Sequence, residues 1–496
     1  MHSFSWNLCT SALYLLSVVA TGSAANWPNG PFTTSTRWIT DASGNIVQYS
    51  GINWAGHPET MVPEGLQYQS VETIVSKLKS AGLNSIRLTY AIQMIDQIEA
   101  NGGKDIPIRT AFINALGQQN GTAIYNAVVK NNPTFGEQTT RLQVFDAVAA
   151  ECNKQQIYVH LDNHVSKAQF CCTPFDGNSW WQDTYFDAAN WTRGLAYMAN
   201  HGKNWPNLMS MSLRNELRQP LDNKTLFSDA YNWQDWYQFV QQGVQAIHKA
   251  NPDLLVFLSG LDSDTTLQPV TEQTALTPGT EIFNRSVVTP YPSKLVLELH
   301  NYANMLGGPD FSNCTQLQED LGTDGFSALA SNNSDPWPII VSEFGFPIND
   351  TTGDDYFVQC LMKYVADSKA GWIQWTLQGS YYIRQGTQDS DEGWAILNHD
   401  WSDWRSSKYV NGPLKNLINA TMSINGQSAN GTAQPGGGTN SSGSSGSGNS
   451  SSGGSGTGPP TMSGVAAGRS APTDFYGFYG VLLFSVATLL AVHVMG

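Results

Sequence analysis

The chain has 496 residues, 41% of them hydrophobic and 11% aromatic with 16 Trp, enough for a large core and a surplus of flat indole rings suited to sugar faces. A formal net charge of −15 with only 13% charged residues excludes a phosphate-tracking surface, which needs clustered Lys and Arg, and so excludes nucleic acid as a partner. The acidity speaks to solubility and not to the substrate.

At the start, an apolar run from Ala12 to Ala20 leads into the small residues Gly22, Ser23, Ala24 and Ala25. That is the layout of a cleavable secretion signal over residues 1–25. From 26 to 424, short runs rich in Val, Ile and Leu alternate with longer segments of helical patterning. The runs are Val47 to Trp54, Asn84 to Tyr90, Gln156 to His164, Leu208 to Glu216, Leu254 to Gly260, Leu295 to Tyr302, Pro338 to Gly345 and Gly371 to Gln378. Eight βα units predict an α/β fold, a closed (β/α)8 TIM barrel in one domain, with its chemistry at the C-terminal ends of the strands. The insert from Asn101 to Phe135 is long for a βα connection and is expected to shape the cleft there.

Past the barrel, residues 425–462 are dominated by Gly and Ser and read as a flexible linker. Residues 463–496 open on the small residues Ser463 and Gly464 and end in an apolar stretch, Phe475 to Met495, with no basic flank behind it. This is the arrangement of a glycosylphosphatidylinositol attachment signal, against a retained transmembrane helix as the competing reading. The expected location is extracellular, at the cell surface, held to the outer leaflet or wall by a lipid anchor. Sequons at Asn120, Asn190, Asn223, Asn284, Asn313, Asn332, Asn349 and Asn419 fit that route. Cys152, Cys171, Cys172, Cys314 and Cys360 are an odd set whose pairing the sequence leaves open, with Cys314 to Cys360 the expected bridge. No CxxC pair or HExxH run supplies zinc ligands.

The ends of the strand runs are polar: Asn53, Arg87, Asp162 and His164, Asn215 and Glu216, His300 and Tyr302, Glu343, and Trp375 and Gln378. Turn chemistry accounts for one or two such residues, but not for a carboxylate directly after a buried-type strand, where burial without a partner is costly. Glu216 and Glu343 both sit that way. The segments Gly51-Ile52-Asn53-Trp54, Ile86-Arg87-Leu88, Leu161 to Lys167, Ser212 to Arg218, Leu299-His300-Asn301-Tyr302 and Val341-Ser342-Glu343-Phe344-Gly345 together resemble glycoside hydrolase family 5, the cellulase-like clan A barrels, and most closely its plant and fungal subfamily 11. The likeness runs from about Trp27 to Ser423.

The resemblance implies Glu216 as acid/base and Glu343 as nucleophile of a retaining hydrolysis of β-glycosidic bonds. It implies that Arg87 supports the nucleophile, Asn215 holds the sugar 2-hydroxyl, His164 and His300 line the cleavage subsite, and Tyr302 steadies Glu343. Trp375 matches the aromatic of strand eight; were it to pack away from the cleft, Gln378 would face the substrate. Leu217 departs from the Pro that follows the acid/base in many members. Retention requires the two carboxyl groups about 5 Å apart, and Arg87 is expected to hold Glu343 ionised while Glu216 stays protonated.

No cofactor or metal is needed for this chemistry, and a monomer acting on a β-linked polysaccharide or oligosaccharide is expected. Two rival readings are a transglycosylase of wall remodelling and a non-catalytic carbohydrate-binding barrel, the latter disfavoured by two intact carboxylates. Trp180, Trp181, Trp394, Trp401 and Trp404 are open to two readings, sugar platforms or local packing anchors, and stay outside the candidate site, while Asp389, Asp391 and Glu392 are read most simply as a solvated loop.

Overall fold

Eight short strands alternate their side chains between two apolar environments, and this alternation sets the architecture. A computed structural model describes residues 27–303, 314–330 and 335–429. The strands are β1 (Ser50–Trp54), β2 (Ser85–Ala91), β3 (Tyr158–Val165), β4 (Leu208–Ser212), β5 (Leu255–Ser259), β6 (Leu295–Asn301), β7 (Ile339–Phe344) and β8 (Gly371–Gln374). They pair in parallel, in sequence order, and β8 closes on β1, giving the expected barrel. Outward residues such as Leu88, Leu161, Met211, Leu297, Val341 and Trp372 are buried under the surrounding helices.

The interior is layered. At its lower end Tyr49, Met209, Leu255, Phe257, Val296, Ile340 and Ile373 form a separate apolar cluster, capped by Phe32 and the half-buried Trp27. Trp27 stacks on Tyr158 at 5.3 Å, and the carbonyl of Phe32 accepts a hydrogen bond from Lys294 Nζ at 2.5 Å, so the N-terminal segment stoppers the barrel. One level up, register sets Asn53 beside Arg87, Arg87 beside His160 and His160 beside Ser210. A shift in register between Leu299 and His300 brings His300 opposite Glu343 on β7.

The helices carry local stop and start signals. Helix α1 (Val71–Ala81) begins at Ser70, whose hydroxyl accepts from the Thr73 N–H, buries Val71, Ile74, Val75 and Leu78, and ends at Gly82 in the left-handed conformation at φ 98°. The long insert folds as two helices, α2 (Ile108–Leu116) and α3 (Gln118–Asn131). The expected bridge is present, Cys314 joining α4 (Cys314–Asp324) to Cys360 in α5 (Tyr356–Ser368). Cys171 pairs with Cys172, and Cys152 is buried as a free thiol.

The chain stays on the barrel past residue 424. Gly426 donates its N–H to the Ile46 carbonyl at 2.9 Å, Ile46 donates to the Gln427 carbonyl at 2.8 Å, and Asn45 bridges to Ser428. The segments read from sequence as a secretion signal, the rest of the linker and a lipid-anchor signal lie outside the described residues. Among the described residues no helix is long and apolar enough to cross a membrane. Of the six described sequon asparagines, Asn120, Asn284, Asn349 and Asn419 are exposed, and Asn190 and Asn223 are half-buried.

Candidate active site

A cavity of about 360 Å³ opens at the C-terminal ends of the strands, and Glu216, Glu343, Asn215, His164, Tyr302 and Trp375 all line it. Six of the eight residues anticipated from sequence therefore meet at one surface. The other two, Arg87 and His300, lie behind it with side chains fully buried. His300, expected at the cleavage subsite, sets its Nδ1 against both carboxylates and is not itself among the residues facing the cavity.

Arg87 is the hub. Its Nη1 donates to Glu343 Oε1 at 2.5 Å and to Asn53 Oδ1 at 2.8 Å, and its Nη2 donates to Asn215 Oδ1 at 2.8 Å. Asp162, 3.1 Å from Nη2, supplies a second buried counter-charge. Because Asn215 spends its oxygen on Arg87, its amide nitrogen is the atom left for the cavity. Glu343 receives a second hydrogen bond on Oε2 from the Tyr302 hydroxyl at 2.9 Å. His300 Nδ1 lies 3.1 Å from Glu216 Oε1 and 3.6 Å from Glu343 Oε2. Carboxylate oxygens of Glu216 and Glu343 and a nitrogen of His300 all fall within 4.8 Å of one another, which is the close spacing of a double displacement.

Burial sets the protonation pattern. It pushes Glu216 up to about 7, against the pull of Arg218 and Arg87. It raises Glu343 as well, but there His300 and Arg87 oppose the rise. Arg87 therefore acts in the expected direction on Glu343, although desolvation is the largest influence on both carboxylates and leaves each raised. Burial lowers His300 to about 4 and takes His164 well below the ordinary imidazole range, so both rings are neutral near pH 7. His164 Nδ1 donates to Asp162 at 2.6 Å, which fixes its tautomer, and its ring stacks on Trp375 at 5.5 Å and 14°.

Trp375 faces the cavity, and the alternative is closed off: Gln378 is fully buried, its Oε1 accepting from the Ala55 N–H and its Nε2 donating to Tyr381. Glu216 itself has φ 50°, a left-handed backbone unfavourable for a residue with a Cβ. Its N–H is taken by Asp264 Oδ2 at 2.8 Å and its carbonyl by Arg218 Nη1 at 2.8 Å, which together hold the turn. Asp264 also accepts the His300 N–H on its carbonyl at 2.8 Å. Asp264 follows the fifth run, where no site residue was anticipated; its signal was the acidic segment Asp262-Ser263-Asp264 directly after an apolar strand.

Two other anticipations change. Glu392 is 4% exposed and lines the cavity, accepting from Tyr381 at 3.1 Å and Arg384 at 3.0 Å. A hairpin, β9 (Ser380–Arg384) and β10 (Thr387–Asp391), folds its chain end back over the barrel mouth, so only Asp389 and Asp391 fit the solvated reading. Trp394 also lines the cavity, 5.7 Å from the Tyr302 ring, whereas Trp180, Trp181 and Trp401 are fully buried packing residues. The insert α2–α3 contributes nothing to the cavity lining; it props the hairpin instead, with Phe112 against Tyr382 at 4.9 Å and Asn120 Nδ2 donating to Gln388 at 2.5 Å.

Comparison with known proteins agrees with this geometry. The family model for cellulase, glycosyl hydrolase family 5, matches residues 40–380. A glycosyl hydrolase 5 family protein of Chamaecyparis obtusa is 34% identical over 422 residues, covering 81% of this chain and 67% of the relative. An endoglucanase of Paenibacillus polymyxa is 22% identical, covering 76% and 85%. Among solved structures, an endocellulase of Pyrococcus horikoshii superposes with a TM-score of 0.58 at 18% identity, covering 78% of this chain and 98% of that one. The catalytic domain of the major endoglucanase of Xanthomonas campestris gives 0.54 at 19% identity, covering 79% and 99%. The match spans the barrel from the approach to its first strand to the exit of its eighth, and the chain belongs to glycosyl hydrolase family 5, as a glycosidase hydrolysing O-glycosyl bonds.

Proposed function

We propose that this retaining glycosidase cleaves a β-linked glucan at the cell surface, with Glu216 as acid/base and Glu343 as nucleophile. The observation that carries the assignment is the pair of buried carboxylates within 4.8 Å of each other at the cavity, one lifted to about 7 and the other bridged by Arg87 and Tyr302.

In the first half-reaction the Glu216 carboxyl gives its proton to the glycosidic oxygen as Glu343 Oε attacks the anomeric carbon; the carbon–oxygen bond breaks and an ester to Glu343 forms. Arg87 and Tyr302 keep the attacking carboxylate oriented and ionised beforehand. Once Glu343 is esterified its charge is gone, and Glu216, now ionised, takes a proton from water as that water attacks the anomeric carbon; the bond from that carbon to Glu343 Oε breaks and Glu343 leaves as a carboxylate. In this reading the Asn215 amide nitrogen takes the 2-hydroxyl and Trp375 the sugar face, supported by both residues lining the cavity.

The glucan assignment is supported by the endoglucanase named among the relatives and by the cellulase family model. The surface location is supported by the apolar run at Ala12 to Ala20 and by the Gly/Ser linker and apolar tail. Release from membranes by a phosphatidylinositol-specific phospholipase tests the anchor, and retention in the pellet would refute it.

The chemical roles are tested by Glu216→Ala on two substrates. It should lose hydrolysis of cello-oligosaccharides by about 10²–10⁴-fold, yet with β-cellobiosyl fluoride, whose leaving group needs no proton, it should still release a burst of fluoride before slowing as the ester to Glu343 accumulates without its base. Product anomers read by proton NMR within the first minutes should be β; α product would refute the double displacement.

A further inference from the structure

The cavity wall beside the proton donor is built from sulfur. Cys171 and Cys172, joined to each other, both line the cavity, and Asn215 Nδ2 lies 3.6 Å from each sulfur. Both sulfurs fall within 4.8 Å of a carboxylate oxygen of Glu216. A stabilising purpose does not account for this bond. A disulfide stabilises chiefly by closing a loop of the unfolded chain, and neighbours in sequence close none, whereas Cys314–Cys360 spans 46 residues.

The pair is instead held in register with the acid. Arg218 donates to the Glu216 carbonyl at 2.8 Å, to the Thr173 carbonyl at 2.9 Å and to the Asp176 carboxylate at 2.6 Å, tying the segment after the disulfide to the turn that carries Glu216. Asp176 in turn accepts the Thr173 N–H at 3.0 Å.

We propose that the Cys171–Cys172 disulfide is a specificity-determining contact for the sugar on the leaving-group side of the scissile bond. The −1 sugar has its own floor in Trp375, next to His164. The sulfurs adjoin Glu216, the group that protonates the bridging oxygen, and what lies beyond that oxygen is the departing sugar. A sulfur pair is polarisable and has no hydrogen to donate; it accepts from the Asn215 amide and presents an apolar patch to a sugar face. The inference rests on the acid role of Glu216 given above.

The test uses the full chain with Cys171→Ala/Cys172→Ala, on tetrasaccharides of β-1,4-linked glucose, mannose and xylose and on the matching β-glycosyl fluorides. On whichever tetrasaccharide the parent cleaves, kcat/KM should fall about tenfold or more, mainly through KM, while the fluoride, which has no leaving-group sugar, changes less than about twofold. The alkaline limb of the pH profile should not move. A fall carried by kcat with a displaced limb would mean that the disulfide acts only by placing Glu216, an equal fall on both substrates would put the effect away from the leaving-group side, and no fall on either would mean that the sulfurs touch no sugar; each would overturn the proposal. Failure of the glucan assignment shows differently, as cleavage of mannan or xylan fragments by the parent.

Should the double variant not fold, the Glu343→Gln chain decides. The tetrasaccharide that the parent cleaves, bound there without turnover, should slow phosphine reduction of Cys171–Cys172, read by mass spectrometry of alkylated peptides, and leave Cys314–Cys360 unaffected. Equal rates with and without sugar would overturn the contact.

Discussion

The two ends of the barrel interior are made by the same eight strands and differ in almost everything else. The lower end is an apolar plug of Tyr49, Met209, Leu255, Phe257, Val296, Ile340 and Ile373, sealed by the N-terminal segment. The upper end packs Arg87, Asp162, His164, Glu298, His300 and Glu343 together out of solvent. Burial of apolar area at the bottom favours folding, whereas each charge buried at the top is costly unless paired. The upper layer is retained because it chemically splits two carboxylates, and the lower layer keeps the strands at the spacing that this requires. Stability and activity should therefore respond to different ends.

The largest expected effect is at the mouth. Glu343→Gln should reduce kcat by about 10⁴-fold or more, because no other carboxylate lies where the ester forms. Its melting midpoint should move little, since Arg87 keeps Asp162 as a partner and the amide can still accept from Tyr302. At the opposite end Leu255→Ala, fully buried on a strand that supplies neither carboxylate, should cost about 2–5 kcal/mol in denaturant unfolding. The kcat per folded molecule should stay near the parent's. A collapse of kcat in Leu255→Ala, measured well below its unfolding midpoint, would break the division between the ends.

The lower end and the reacting pair were readable from local sequence because both are written locally. Runs such as Leu295 to Leu299 and Ile339 to Val341 declare strands, and a Glu immediately after such a run contradicts burial unless it has a task. What was not readable depends on chain segments far apart meeting. Asp264 acts by accepting the N–H of Glu216, 48 positions earlier. Glu392 looked solvated in its polar neighbourhood and is buried because the hairpin returns Tyr381 and Arg384 to it. Two adjacent cysteines gave no hint of lining a cleft, since that follows from Arg218 binding across to Thr173 and Asp176. His300 was placed correctly on its strand, but the register shift that sets it opposite Glu343 belongs to strand pairing and not to composition.

The smallest expected effect is also the one that bears most directly on why the upper end is charged. In the parent, kcat/KM should fall as pH rises through about 7, because Glu216 must hold a proton for the first half-reaction and is raised to about 7. Arg218 pulls that value down and Asp176 pushes it up. Arg218→Gln removes the cation and leaves Asp176 without its fork partner, so both changes favour the protonated acid and the alkaline limb should move to higher pH, by about 0.5–1 unit. Arg218→Lys keeps the charge, and its limb should stay closer to the parent's even though its planar contacts to Thr173 and Asp176 are lost. Leu255→Ala supplies the contrast, because a change in the lower layer alters no charge near Glu216 and should leave the limb in place. A limb that moved down in Arg218→Gln would mean that the local field around Glu216 is set by something other than this arginine and its aspartate, and the charged end would then need a different explanation.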